Sequence, residues 1–425
     1  MPATEMTTAE VPGVYRRLAS AIGAEHWQGA VARQEEAIRS NQFLGNYLRS
    51  EYAIAYQLEG LRRLVARFGK VPHDACSDAN NFPSSAFAAQ VLGVLERSTA
   101  KQAKAFVKRV RNAFNTSKEL HGLRLELQAA THFVRRGQRV VWHRDKSGGT
   151  FDLLLEDLGP TGLEVECKSI SENKGRRVHR RDALEFWGEL WGDVADIANN
   201  LRSGLAVVLT VPYRLPADAW ERVALAREVV ARIVAGNGAT LGGGAEVRIE
   251  SFDTAKIKAA KDVGREELRK AIDAATGTAN REVAVYGTPA GGMLAFAMQS
   301  AVEDDVLDQV FATLDDSAAR QFTCKRGALF WVALQGIDAD QLLSLHEQDS
   351  DPGEQPTELR RKVSSFLNGA PDYIVGVVFS SRSAMFPTID GTTDSGVTTN
   401  FFLKMEGPLW HAGFRDLFRV TGTTE

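Results

Sequence analysis

Three carboxylates and one lysine within residues 117–181 are spaced as a metal-dependent phosphodiesterase requires. Glu166 and Lys168 lie two positions apart in the strand-like run GLEVECKSI, and Asp152 lies in the preceding run, TFDLLLE. Glu126 lies upstream, in the helix-like stretch SKELHGLRLELQAATHFVRRG. Carboxylate oxygens are the ligands that Mg²⁺ prefers. A neighbouring lysine can orient or deprotonate a water molecule and stabilise developing charge.

The two strand-like runs are predicted to pair as an antiparallel hairpin. Side chains alternate between the two faces of a strand, so Glu164, Glu166 and Lys168 share one face. The segment EDLGPTG between the runs is rich in turn-forming residues. This pairing can bring Asp152 beside Glu166, where two carboxylates repel each other unless a cation or a proton lies between them. The hairpin therefore predicts a divalent metal site.

Glu126 lies inside the apolar stripe of the predicted helix. The stripe has helical spacing and consists of Leu120, Leu123, Leu127, Ala130 and Val134. A carboxylate turned toward a core is costly unless it meets a cation or hydrogen-bond donors. Lys168 or a bound metal ion is the expected partner of Glu126.

The order of these elements resembles the PD-(D/E)XK nuclease superfamily, which has the restriction-endonuclease-like fold. A helix with Glu126, a strand, a strand with Asp152 and the strand with Glu166-Cys167-Lys168 look like its Holliday-junction-resolvase and Mrr-type branches. The resemblance covers about residues 115–212. It implies an α-β-β-β-α-β core, completed by a helix over 181–201 and the strand-like run GLAVVLTV. Phe151 stands where the family name has proline.

The resemblance also implies roles for the site residues. Asp152, Glu166 and the backbone carbonyl of Cys167 are expected to bind Mg²⁺ or Mn²⁺. Lys168 is expected to act on the attacking water. Glu126 is expected to support the metal or the lysine, which makes it the fourth catalytic residue.

Other residues of the region have a structural interpretation. Alternating acids and bases on a strand are typical of a solvated face with cross-strand ion pairs, and we assign Glu156 and Glu164 to such a face. Cys167 is predicted to be a buried small hydrophobe rather than a nucleophile. Three histidines lack a recognisable ligand spacing and are interpreted as structural or surface residues: His121, His132 and His143.

Basic residues concentrate around the predicted site, although the whole chain has a net charge of −3. From 101 to 146 three acids face a larger set of bases: Lys101, Lys104, Lys108, Arg109, Arg111, Lys118, Arg124, Arg135, Arg136, Arg139, Arg144 and Lys146. Five more follow the E-x-K strand and are predicted to bind nucleic acid: Lys174, Arg176, Arg177, Arg180 and Arg181. Such local enrichment is typical of phosphate contacts, and solvated helix faces are the alternative.

Composition limits the class and location of the protein. A chain of 425 residues with 44% hydrophobic and 25% charged residues has the balance of a soluble globular protein of two or three domains. Its three widely spaced cysteines indicate a reducing compartment without a disulfide framework. The N-terminus lacks the features of a signal peptide, and no run is long enough to span a membrane. We therefore expect a cytoplasmic protein without a membrane partner.

The chain is predicted to be an α/β protein with a helical N-terminal region over 1–114. A nuclease-like core over 115–212 and an α+β C-terminal region over 213–425, of unknown role, follow. The leading hypothesis is a magnesium-dependent nuclease that cleaves DNA in bacterial defence or repair, and a homodimer is possible. Two alternatives stay open: a non-cleaving nucleic-acid-binding or scaffold protein on the same fold, and an RNA-directed nuclease. The stacking candidate for single strands, Trp142, has the strand position of a core residue.

Overall fold

The computed structural model describes residues 6–142, 150–381, 384–387, 393–396 and 398–418. These residues form a mixed α/β structure, which confirms the predicted class. The chain divides into two compact units that are both discontinuous in sequence. The first unit consists of Met1–Arg33, Glu51–Lys174 and Leu307–Glu425, and the second of Gln34–Ser50 and Gly175–Val306.

Helices precede the first strand, both in the region 1–114 that was predicted to be helical and in the helix that follows it. The α-helices are α1 (Val11–Ile22), α2 (Glu25–Ser40), α3 (Leu44–Glu51), α4 (Ala53–Phe68), α5 (His73–Ser77), α6 (Phe82–Glu96), α7 (Ala100–Ala113) and α8 (Ser117–Arg135). Thr99 and Thr116 begin α7 and α8, because their side chains accept the N–H groups of Gln102 and Glu119. Among the described residues, no helix has the length and apolar character needed to cross a membrane.

Strands and further helices form the rest of the described chain. In order they are β1 (Val140–Trp142), β2 (Leu153–Leu155), β3 (Leu163–Ile170), α9 (Arg180–Asn200), β4 (Gly204–Val211), α10 (Ala219–Ala235), β5 (Ala239–Thr240), β6 (Glu246–Phe252), α11 (Thr254–Val263), α12 (Arg265–Thr276), β7 (Glu282–Gly287), β8 (Met293–Ser300), α13 (Val306–Gln321), β9 (Gly327–Leu334), α14 (Ala339–Ser350), α15 (Glu358–Gly369), β10 (Ile374–Ser380), β11 (Ala384–Pro387), β12 (Thr393–Gly396), β13 (Thr399–Leu403) and α16 (Gly413–Asp416).

The sheet of the first unit has the order β1-β2-β3-β9-β10-β13. β1, β2 and β3 are antiparallel neighbours, as the hairpin prediction requires. β3 then pairs with β9 in parallel, and β9 with β10 in parallel. All residues of β9 and β10 are buried, which suits their nearly continuous apolar sequences.

The β2–β3 hairpin has the predicted register. Leu153 lies opposite Val165, and the N–H of Asp152 donates to the Val165 carbonyl at 3.1 Å. The same register continued by one residue places Asp152 opposite Glu166. In the connecting turn, Gly162 has a positive φ of 84°, and a Cβ there would lie 2.8 Å from a backbone oxygen, so the close turn requires glycine.

The last strand of the predicted core lies in a different sheet. β4 pairs with β6 and β8 in the sheet of the second unit, whose order is β5-β6-β4-β8-β7. β9 occupies the place beside β3 instead. The prediction that 204–211 completes the core is therefore wrong, and the segment 115–212 is shared between the two units. β4 and β9 are both nearly continuous apolar runs, so the pattern of either strand fits a central position.

One side of the first unit's sheet is covered by α8. Leu125, Ala129 and Phe133 of that helix pack with Val165 of β3 and Trp331 of β9 in one buried cluster. This packing sets the rotation of α8 about its axis, and it places Glu126 in the buried part of the helix surface.

The ring of His132 packs against aromatic residues of the same cluster. The ring of His132 lies 4.8 Å from that of Trp331, and its Nε2 is 3.0 Å from the carbonyl oxygen of Leu417. A carbonyl only accepts, so Nε2 carries the hydrogen. Burial, together with the positive charge of Arg136, lowers the pKa of His132 to about 3. The structural role predicted for this histidine is consistent with its position.

Acidification from pH 7 to pH 5 is expected to lower the contribution of His132 to the free energy of unfolding by about 2 kcal/mol. The unfolded chain binds a proton at this histidine near pH 6.5, whereas the folded chain does not. Urea unfolding of wild type and His132→Asn at both pH values measures the effect, since titrating carboxylates are common to both proteins. An equal pH dependence in the two proteins would contradict the assignment.

Candidate functional site

Asp152 lies just before β2, and its carboxylate contacts the neighbouring strand. Its Oδ2 accepts the backbone N–H of Cys167 at 2.9 Å. Burial raises the pKa of Asp152 well above its usual range, and the nearby carboxylates of Glu126 and Glu166 raise it further. The three predicted carboxylates therefore share one site, in which their charges repel each other.

Glu166 and Lys168 form an ion pair on one face of β3. Lys168 Nζ lies 2.7 Å from Glu166 Oε1 and also donates to the side-chain oxygen of Gln321 at 2.7 Å. The second oxygen of Glu166, Oε2, is buried and has no hydrogen-bond partner among the described residues. Burial raises the pKa of Glu166 to about 7, against the lowering effects of Lys168 and the Gln321 amide. Among the residues that the structure describes, Glu166 Oε2 is thus desolvated without a hydrogen-bond donor of its own.

Glu126 has a partner that the sequence did not indicate. Both of its carboxylate oxygens accept hydrogen bonds from the guanidinium of Arg109 on α7, in a bidentate ion pair. The expected direct contact of Glu126 with Lys168 is absent among the contacts of the described residues, because Lys168 is held by Glu166 and Gln321. Arg109 reaches the site because it lies on the buried side of α7, between Phe106 and Val110.

The two other acids of the hairpin have different environments. Glu156 is exposed and forms a cross-strand ion pair with Arg139 at 3.1 Å, as predicted. Glu164 is fully buried, so its assignment to a solvated face is wrong. Its carboxylate accepts the N–H of Thr323 at 2.9 Å and a guanidinium N–H of Arg326 at 3.2 Å. The segment after α13 covers this face of β3, which local alternation does not reveal.

The direction of the Cys167 backbone carbonyl can be inferred from the direction of the Cys167 N–H. In an extended strand, the N–H and C=O of one residue point to the same side. The N–H of Cys167 points to Asp152, and the β2–β3 pairing ends at Val165. The carbonyl is therefore directed toward the same edge as the Asp152 carboxylate. The thiol is half-buried, and burial raises its pKa well above the usual range, in agreement with a non-nucleophilic role.

Among the described residues, no group of three or more His, Cys, Asp and Glu side chains is arranged as a metal site. The charges and donors nevertheless fit a divalent ion. Glu126, Asp152 and Glu166 carry three negative charges when ionised, whereas Arg109 and Lys168 carry two positive charges. The orphaned Oε2 of Glu166, the Asp152 carboxylate and the Cys167 carbonyl are hard oxygen donors of the kind that Mg²⁺ and Mn²⁺ accept.

The basic residues after β3 have partners of their own. Arg176 lies 3.3 Å from Glu282, and Arg177 lies 3.3 Å from Asp305 and stacks on the ring of Tyr213. Two others are exposed and also engaged: Arg180 lies over the ring of Tyr47, and Arg181 pairs with Glu185. Lys174 is partly buried and belongs to the first unit, whereas the four arginines belong to the second. Their role in nucleic-acid binding remains a prediction.

A separate basic face lies on α7. Lys101, Lys104 and Lys108 are exposed and have helical spacing, and none has an ion-pair partner among the described residues. The same helix contributes Arg109 to the candidate site. Trp142 packs against the buried clusters of the first unit, as its strand position predicted. Three residues named in the sequence prediction lie outside the described part of the chain: His143, Arg144 and Lys146.

Two residues of the site were missed by the sequence prediction. Arg109 was counted only among the basic residues, although its position on the apolar stripe of α7 was a usable signal. Gln321 lies 153 positions from Lys168 and carries no local signal. Comparison of the chain with protein-family models, with curated proteins and with solved structures finds no match.

Proposed function

We propose that this protein is a metal-dependent nuclease that hydrolyses phosphodiester bonds, with DNA as its substrate. The observation that carries the proposal is the buried group of three carboxylates beside Lys168, in which one Glu166 oxygen has no partner among the described residues. Such a group is costly in a folded protein, and it becomes favourable when a cation is bound.

The order of elements in the first unit supports the proposal. α8, β1, β2 and β3 are followed in that unit by α13 and β9, and β9 pairs in parallel with β3. This is the α-β-β-β-α-β order that the resemblance implies, with Gly175–Val306 inserted between β3 and α13. In this order β3, which carries Glu166 and Lys168, is the third strand, and β9 rather than β4 is the last strand.

The roles of the side chains follow from their contacts. Asp152, Glu166 and the Cys167 carbonyl would hold Mg²⁺ or Mn²⁺, which when bound activates water and offsets phosphate charge. Lys168 is a donor in two contacts, and an ammonium group has three N–H donors and no acceptor. One N–H remains to orient the attacking water or to stabilise negative charge on the phosphate oxygens. This geometry favours orientation over deprotonation for Lys168.

The exposed lysine face of α7 supports a polymeric, negatively charged substrate. Lysine side chains neutralise phosphates without reading the bases, and they position a strand relative to a site. We therefore propose that Lys101, Lys104 and Lys108 contact the phosphate backbone. Binding through these residues would weaken as the salt concentration rises.

The test is cleavage of labelled single- and double-stranded DNA and RNA with Mg²⁺ or Mn²⁺ and, as a control, with a chelator. We expect DNA to be cut only when the metal is present. RNA cleavage alone would replace DNA as the substrate and support the RNA-directed alternative. Salt-sensitive binding without cleavage, weakened in a Lys101→Ala, Lys104→Ala and Lys108→Ala variant, would overturn the nuclease proposal in favour of a binding or scaffold protein.

A further inference from the structure

Two residues at and just after the end of α13 contact Glu164 and Lys168 on one face of β3. Gln321, at the end of α13, accepts a hydrogen bond from Lys168 at 2.7 Å. Thr323 donates through its N–H and hydroxyl to Glu164, at 2.9 and 2.5 Å. Glu164 and Lys168 flank Glu166 on the same face. Gln321 therefore contacts a member of the candidate catalytic pair, whereas Thr323 contacts Glu164, which lies outside that pair.

Gln321 also fixes the strand that carries the third carboxylate. Its backbone carbonyl accepts the N–H of Thr150 at 2.8 Å, two residues before Asp152. The residue thus contacts the approach to β2 with its backbone and Lys168 on β3 with its side chain. Both contacts join parts of the site that are far apart in sequence.

The chemistry of an amide suits this position. A glutamine side chain has an acceptor oxygen and two N–H donors but no charge. It can accept from the Lys168 ammonium and donate toward Glu166 without adding a charge to a site that already has three carboxylates. A carboxylate there would increase the repulsion, and an apolar side chain would leave Lys168 with Glu166 as its only described partner.

We propose that Gln321 is a positioning residue that holds the Lys168 ammonium in its working orientation, an inference that rests on the proposed nuclease function. Gln321 does not contact the phosphate in this assignment. It acts mainly through Lys168, so its loss should lower kcat much more than it lowers the affinity for Mg²⁺, and the KM for DNA should stay unchanged. Substitution of a residue of this kind typically lowers activity by about 10- to 100-fold.

Gln321→Met is the informative variant, because methionine matches the length of glutamine but offers no comparable acceptor. Thr323→Val is the matched control on the same segment, since it removes a contact with Glu164 and none with Lys168. We expect Gln321→Met to lower kcat by about 10-fold or more, with Mg²⁺ affinity measured by calorimetry within about threefold of wild type. Thr323→Val should retain the wild-type kcat. Equal loss in both variants would show a merely structural segment and overturn the proposal, as would full activity of Gln321→Met.

A second readout does not depend on cleavage. Trace acetylation of lysine amines, followed by mass spectrometry, measures the extent of labelling of Lys168 relative to that of exposed Lys101. Labelling of Lys168 increases when fewer contacts hold its amine. We expect Gln321→Met, and not Thr323→Val, to raise the relative labelling of Lys168 by about 10-fold, because a hydrogen bond to a charged group is lost. If wild type cuts no nucleic acid but this labelling increases, the nuclease function fails and the positioning contact stands. Unchanged labelling overturns the positioning role itself.

Discussion

Asp152→Asn is expected to abolish cleavage while increasing the stability of the metal-free protein. The asparagine keeps an oxygen that can accept the Cys167 N–H but removes one of three mutually repelling charges. Loss of a metal-binding carboxylate should lower the cleavage rate by about 10³-fold or more, a loss of roughly 4 kcal/mol of transition-state stabilisation. The stability gain distinguishes a functional carboxylate from a structural one, because functional sites commonly lower stability.

The sign of the stability change follows from the raised pKa of Asp152. A carboxyl group whose folded-state pKa is raised stabilises the fold at low pH, and this contribution is lost as the pH rises through the folded pKa. At pH 8 in chelator, we therefore expect Asp152→Asn to raise the free energy of unfolding by about 1 kcal/mol. The gain should shrink toward acidic pH.

Urea unfolding and single-turnover cleavage measure the two effects on the same preparations. Asp157→Asn is the matched control, since Asp157 is exposed in the turn of the same hairpin. The control should change neither quantity. A less stable Asp152→Asn protein, or one that still cuts DNA at the wild-type rate, would show that Asp152 serves the fold rather than a metal.

Arg109→Met is expected to lower the free energy of unfolding by about 3 kcal/mol, the largest stability change that we predict. Both partners of the Arg109–Glu126 pair are largely buried, with side-chain exposures of 20% and 6%. Removing the guanidinium leaves the Glu126 carboxylate desolvated and without its bidentate donor. It also removes positive charge from a site that holds Asp152 and Glu166, so their repulsion is less well balanced.

A double-mutant cycle separates the pair from the packing of Arg109. Glu126→Gln should restore most of the stability lost in Arg109→Met, because the double variant has no unpaired buried charge. Lys108→Met is the matched control on the same helix, and its exposed side chain should change stability by less than about 0.5 kcal/mol. A loss below about 1 kcal/mol in Arg109→Met, or no recovery in the double variant, would contradict a buried ion pair.

Local spacing was enough to predict the hairpin and the carboxylates on it. Strand side chains have a period of two, so the shared face of Glu166 and Lys168 follows from their separation alone. The glycine-containing turn then limits how β2 and β3 can pair, and it places Asp152 opposite Glu166. The same holds for α8, whose apolar stripe and Thr116 cap are both local.

The tertiary structure decided which distant elements complete the sheet and the site. A parallel partner for β3 needs a long crossover connection, and the apolar runs of β4 and β9 satisfy its pattern equally well. The pairing of β3 with β9 rather than β4 depends on packing within the first unit, which also brings Gln321 to Lys168 and buries Glu164 under Thr323 and Arg326. Contacts of this kind form where segments that are far apart in the chain bury each other. The alternation of side chains along a single strand therefore cannot predict them.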